Sequence, residues 1–363
     1  MDPKELETHT EKLRRVARNA YKRRVPFHAI TSDRHREVLD QAIRNVLSTK
    51  LAKFTYAQII DGLPIADVAW DRRLPGIMGE HIIDNHETLC PGALEKAEEY
   101  HETWDPRILK FDPQAVKSYQ NAKPGSKPFN LRLVELVAVS LHQISVELFK
   151  MDHRLHRGDI EAVINWKMPP TEGMIDVPPG PTLFSHHAYL DDDVYLEGVA
   201  DVVGYWAEDR ILGGVVVFER RPENSETAPN IYFHPCRERQ TIRVYQLRDE
   251  QQQALFDFLL SDGTSPSPLP ILGDKQNRIR VDAPTAITHS HIYRDIWERK
   301  PLSIIDMRIF ERRPKDELDY PEVGDMIRRI NAQHGIPIPR PRPRSLSPPA
   351  RDGEGEQKYR DRE

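Results

Sequence analysis

Cysteine is nearly absent: the 363 residues hold two, Cys90 and Cys236. Neither has a second thiol close by in sequence, so no disulfide framework and no cysteine-paired zinc motif is expected. Both read as ordinary buried or half-buried thiols in a reducing compartment. Long apolar runs are also missing. The stretches Leu136 to Leu141 and Ile211 to Phe218 fall far short of the roughly 20 residues that cross a bilayer. The charged N-terminal stretch has no apolar signal core, so the expectation is an intracellular protein with no membrane association. A dominant charge is lacking too: the formal net charge is −5. No whole-molecule field therefore points to nucleic acid or an acidic substrate, and direct nucleic-acid binding stays open. A glycine-rich phosphate loop, a G-x-S-x-G elbow and a cysteine with a fixed histidine partner are all missing, so no cofactor is expected.

What is present is a globular composition, 38% hydrophobic and 30% charged, which supports a core with polar extensions rather than a wholly disordered chain. Residues 1–30 read as a basic helical arm, with Leu13, Val16, Ala17 and Ala20 at helical spacing among lysines and arginines. Its end, Lys22-Arg23-Arg24, is a candidate nuclear-import cluster, which favours the nucleus over the cytoplasm; the bland alternative is a solvated face.

Residues 31–130 read as a helical wrap. Val38, Leu39, Ala42, Ile43, Val46, Leu47 and Leu51 predict one helix from Asp33 to Phe54, capped by Ser32 or Asp33. Prolines then break the chain into short helices and loops. The stretch from Leu131 to Met151 is apolar around most of its circumference and predicts a buried central helix. It carries Glu135 and His142, each of which needs a partner if buried. Residues 131–330 form the expected α+β core, one domain with the wrap. After a proline-rich loop from Met168 to Pro181, strands are predicted at Val199 to Trp206, Ile211 to Glu219, Asn230 to His234 and Thr241 to Leu247. A helix follows from Asp249, stopping at Gly263, and the segment from Ile287 to Ile330 offers a short helix, a strand at Ser303 to Phe310 and a terminal helix. The predicted fold is therefore α+β: helices around a buried central helix, packed on a mostly antiparallel sheet.

Residues 335–363 hold six prolines, seven basic and five acidic residues and one aromatic, a composition that predicts a disordered tail. Within it "RSLSPP" has the spacing that 14-3-3 proteins read when a serine is phosphorylated, with Ser345 and Ser347 as the candidate modified residues.

The chemistry-bearing candidate is "ADVVGYWAEDRILGGVVVFERR", Ala200 to Arg221. Read as a hairpin with its turn at Ala207 to Arg210, it sets Asp201 near Val216, with Glu219 and Arg221 a short step on. With Glu135 from the preceding helix, these carboxylates have the types that hold magnesium for phosphodiester cleavage. The pattern resembles the PD-(D/E)xK nucleases, with Arg221 where the family has lysine. A guanidinium steadies a phosphate but is a poor general base, so an inactive descendant is the alternative within this resemblance. Metal sets at His186, His187 and Asp191 to Asp193, or at His289 and His291, lack further ligands at a recognisable spacing, and no metal is expected from them.

The segments "PPGPTLFSHH", "ADVVGYWAEDRILGGVVVFERR" and "YFHPCRERQTIRVYQLRDEQQQALFDFLL" belong to one block, about Leu131 to Leu260, that resembles a filamentous-ascomycete family without established activity. Within those fungi the chain is similar to the second protein of the A mating-type idiomorph, which has neither an HMG box nor an α-box; His186, Pro181 and Gly204 would match its histidine, proline and glycine marks. The resemblance implies a non-enzymatic regulator of sexual development after fertilisation and of ascospore formation. Its partners would be other regulatory proteins, mating-type proteins among them.

Overall fold

Ser126 opens the helix at the centre of the molecule, its hydroxyl accepting from the Phe129 amide while Pro128 occupies the first turn. A computed structural model describes residues 3–72, 81–158, 160–166, 180–220, 230–312 and 315–334. Two units divide the chain, Met1–Pro314 and Lys315–Glu363.

In the first unit, α1 (Pro3–Arg23) leads into β1 (Val25–Pro26), then α2 (Asp33–Leu47), α3 (Lys50–Asp61), α4 (Ala66–Trp70) and α5 (Ala93–Thr103). A short strand β2 (Lys110–Phe111), antiparallel to β1, precedes α6 (Pro113–Asn121), the central α7 (Lys127–Lys150), α8 (Ile160–Ile164) and α9 (Val199–Leu212). Strands β3 (Val215–Glu219), β4 (Ile231–His234) and β5 (Val244–Gln246) lead to α10 (Asp249–Leu259), β6 (Arg280–Val281), α11 (Ala283–Ala286), β7 (Ile292–Tyr293) and α12 (Ile304–Arg312). The second unit carries α13 (Pro321–Gln333).

The sheet is antiparallel throughout, in the order β6-β5-β4-β3-β7, and with the helices it makes the fold α+β. Alternation along its strands feeds two cores. Val216, Phe218, Ile231, Phe233 and Tyr245 face the larger one, which α2, α3, α7, α9 and α10 complete. Val215, Val217, Tyr232 and Val244 face a second core containing Tyr189, Tyr205 and Trp297. Leu13 and Ala17 of α1 lie in this second core, so the basic helix is docked by its apolar face.

Four sequence expectations are corrected. The region Val199 to Arg210 is a helix, not a strand and turn: 12 of the 14 residues of α9 are buried. An element covered on all sides has no polar period to distinguish helix from strand. The predicted strand at Ile211 to Glu219 therefore begins only at Val215. The predicted helix from Asp33 to Phe54 is two, because the Thr49 hydroxyl accepts from the Ala52 amide and starts a new helix after Ser48. The predicted strand at Ser303 to Phe310 is α12; its Met307, Arg308, Glu311 and Arg312 are good helix formers.

Helices α7 and α9 lie close because of Gly204. A Cβ there would sit 2.7 Å from the His142 ring, inside van der Waals contact. The cost in helix propensity, about 1 kcal/mol, is offset by the contact that glycine permits.

Candidate functional site

Between the end of α1, the start of α6, the middle of α7 and the segment Tyr293 to Trp297 lies a cleft of about 370 Å³. Five arginines, Arg23, Arg24, Arg132, Arg220 and Arg294, line it against three carboxylates, Asp112, Glu135 and Asp295. Phe111, Tyr293 and Trp297 supply apolar wall.

Glu135 sits in the cleft, 5% exposed. Arg220 donates from Nη2 to its Oε1 at 2.8 Å, and Arg132, one helical turn back, donates to its Oε2. Burial alone would raise its pKa; the two guanidinium groups outweigh that and hold it down at about 2. Arg220 is also a strut. Its Nε donates to the Tyr293 carbonyl at 3.1 Å and its Nη2 to the Arg294 carbonyl at 2.6 Å, tying the end of β3 to the cleft wall. Arg294 is consumed elsewhere: its Nη1 donates to both Glu208 oxygens at 2.8 Å in the dry interior.

The two arginines from α1 and the residue after it are different. Among the described residues, Arg23 and Arg24 make no ion pair; Arg24 stacks on the Tyr21 ring, 3.9 Å from its centroid. Two guanidinium groups thus face a cleft whose central carboxylate is already neutralised. The chemistry available is recognition of an anionic group, and a planar donor fork suits phosphate or carboxylate.

The residues singled out from sequence do not assemble a magnesium site. Asp201 lies on α9, and Val216 pairs with Phe233 instead. Asp201 accepts from His142 Nε2 at 2.9 Å, from the Tyr21 hydroxyl at 3.1 Å and from the Glu197 amide at 2.9 Å. Burial pushes its pKa up, but the hydrogen bond and charge of His142 and the Glu197 amide pull it below the usual value. Glu135 is saturated by its own arginines, Glu219 is half-buried at the end of β3, and Arg221 lies outside the described residues, as do Ser345, Ser347 and residues 335–363. Of the import cluster, Lys22 and Arg23 close the last turn of α1 and are exposed, whereas Arg24 is half-buried.

The other metal candidates also resolve. Asp191 accepts from the Lys300 amide at 2.6 Å and Asp193 pairs with Arg14 and Lys300, so two of the three aspartates are already engaged. His289 and His291 are exposed ahead of β7 and, among the described residues, belong to no group of three metal-capable side chains. His186 and His187 group with Cys236 rather than with the aspartates. Sequence reasoning missed Arg132, Arg220 and the segment from Tyr293 to Trp297. Only the charge adjacency in "FERR" hinted at Arg220, since a cleft wall built from five separated segments leaves no local pattern.

Fold and cleft together define an α+β protein with an arginine-lined cleft and, among the described residues, no helix long and apolar enough to cross a membrane. Compared with known proteins, the chain matches no family model, no curated protein and no solved structure.

Proposed function

We propose that this is a non-enzymatic regulatory or interaction protein that grips an anionic group of a partner protein in the arginine cleft. The observation that carries the proposal is the pair Arg23 and Arg24, which make no ion pair among the described residues, beside a Glu135 already held by Arg132 and Arg220. A regulatory reading is supported by Glu135, whose oxygens are held by Arg132 and Arg220 and so are poorly placed to take a proton from a substrate. The resemblance to the fungal mating-type protein supports sexual development after fertilisation as the process, with mating-type proteins as partners. The basic cluster supports nuclear residence, and Ser345 with Ser347 a phosphorylation-dependent 14-3-3 contact.

Titration of the full chain with pyrophosphate and with phosphoserine peptides tests the cleft. Binding is expected to weaken more than about tenfold in the double variant Arg23→Ala, Arg24→Ala and to fall with salt, as exposed charge pairs do. Absence of binding to every anion tested sinks the cleft assignment. Deleting the gene tests the process separately: arrested fruiting bodies or ascospores are expected, and full fertility removes the developmental role.

A further inference from the structure

A second cluster lies away from the cleft, where the end of α3 meets the chain before α5 and the chain after α7. Asp61, Cys90 and His156 bring ligand atoms within 4.8 Å of one another. His86 flanks them without belonging to that group of three: its Nε2 is 3.0 Å from Asp61 Oδ2, and its ring packs edge-on against His156 with centroids 4.5 Å apart. Cys90 Sγ lies 3.5 Å from His156 Nδ1. From these positions we infer that Asp61, Cys90 and His156 form a three-ligand site for a borderline-soft divalent transition ion, zinc first, with His86 at its rim.

Three observations carry the inference. The donor set is one thiol, one imidazole and a carboxylate, which suits zinc or cobalt and not calcium or magnesium, whose sites are built from oxygen. The spacing fits as well. A tetrahedral ion with bonds of about 2.0–2.3 Å holds its ligand atoms about 3.3–3.7 Å apart; Cys90 Sγ and His156 Nδ1 already stand at 3.5 Å, and Asp61 lies within 4.8 Å of both. Most telling is Asp61, fully buried, whose Oδ1 has no hydrogen-bond partner among the described residues. A buried carboxylate oxygen without a donor is costly, and a cation beside it removes the cost.

The backbone holds the ligands in place before any ion arrives. The His156 amide donates to the Asp61 carbonyl at 2.8 Å and the Cys90 amide to Asp61 Oδ2 at 3.2 Å. Gly62, at φ +100°, lets the chain at Arg154 cross directly over the end of α3; a Cβ there would stand 3.3 Å from the Arg154 Cα. Binding forms one metal–sulfur, one metal–nitrogen and one metal–oxygen bond to the protein, with water at the fourth position, and the Cys90 thiol proton leaves to solvent. The competing cluster at Cys236 is less suited. His186 there already uses both ring nitrogens, Nε2 toward the His234 carbonyl at 2.9 Å and Nδ1 toward the Ala188 amide at 3.1 Å.

The test uses the full chain and cobalt as the probe. One cobalt per chain is expected, with thiolate-to-cobalt charge transfer in the near ultraviolet and the strong visible bands of a tetrahedral ion. Cys236→Ser is expected to keep the charge-transfer band and Cys90→Ser to lose it, while His156→Ala weakens affinity by more than about tenfold. No charge-transfer band in the unaltered chain, or a band that survives Cys90→Ser, overturns the assignment. A readout that needs no variant is alkylation of Cys90 with iodoacetamide, followed by peptide mass. Zinc is expected to slow it more than about tenfold, and an equal rate with and without zinc overturns the site.

Discussion

His142 on α7 and Asp201 on α9 meet at 2.9 Å, Nε2 to Oδ1, and both are buried. The same carboxylate accepts the Tyr21 hydroxyl from α1, so one acidic side chain ties three helices. Asp201→Ala strands the His142 donor and frees Tyr21. The expected loss is about 3 kcal/mol of unfolding free energy in urea. A double-mutant cycle with His142→Ala should give a coupling of about 1–3 kcal/mol; additive losses would show the pair to be unconnected.

Acid stability should track Glu135. Its folded pKa of about 2 lies below the ordinary 4.5, so its contribution is fully present above pH 4.5 and fades as pH falls toward 2. The size is about 3 kcal/mol. In Glu135→Gln, unfolding free energy measured at stepwise lower pH should fall less steeply across that window, and an unchanged slope would contradict the assignment.

Gly204→Ala places a methyl group 2.7 Å from the His142 ring. Either the ring or the helix must move, at an expected cost of about 1–3 kcal/mol. Thermal melting checks this, and an unchanged or raised midpoint would show the α7 and α9 contact to be looser than described.

Arg294 and Glu208 form a bidentate pair with Glu208 fully buried. Removing one partner, as in Arg294→Met, leaves a buried charge and should cost about 3–5 kcal/mol. Replacing both, with Glu208→Leu alongside, should recover only part of that loss in the same urea measurement, because the buried Val216 amide then loses the Glu208 oxygen it donates to.

How much of this was legible depends on the element. The central helix, strands β4 and β5 and the helix after them were readable, because each is an apolar segment of characteristic length set off by polar or proline-containing turns. The run from Val199 to Leu212 was not. Its apolar positions fit a strand covered on both faces as well as a helix, and only its 14-residue length argued for helix. That one mistake displaced Asp201 from its true partners. His142 and Asp201 were each recognised as needing a partner, yet 59 residues separate them and nothing local joins them. The cluster at Asp61 was hidden for a related reason. Cys90 had no neighbouring thiol to mark it, and its companions come from segments on either side of α5, α6 and α7.

Strand β3 lies inside the sheet, and its alternate residues, Val215 and Val217 against Val216 and Phe218, feed opposite cores. A slip by one residue would put apolar side chains on both faces just as before, so hydrophobicity hardly selects the register. The selection comes from the preceding helix. The Val216 amide donates to Glu208 Oε1 at 2.7 Å, so a carboxylate on α9 marks which residue of β3 is aligned. The helix is the ruler against which the strand is set, and the sheet inherits its alignment from an element that is not part of it.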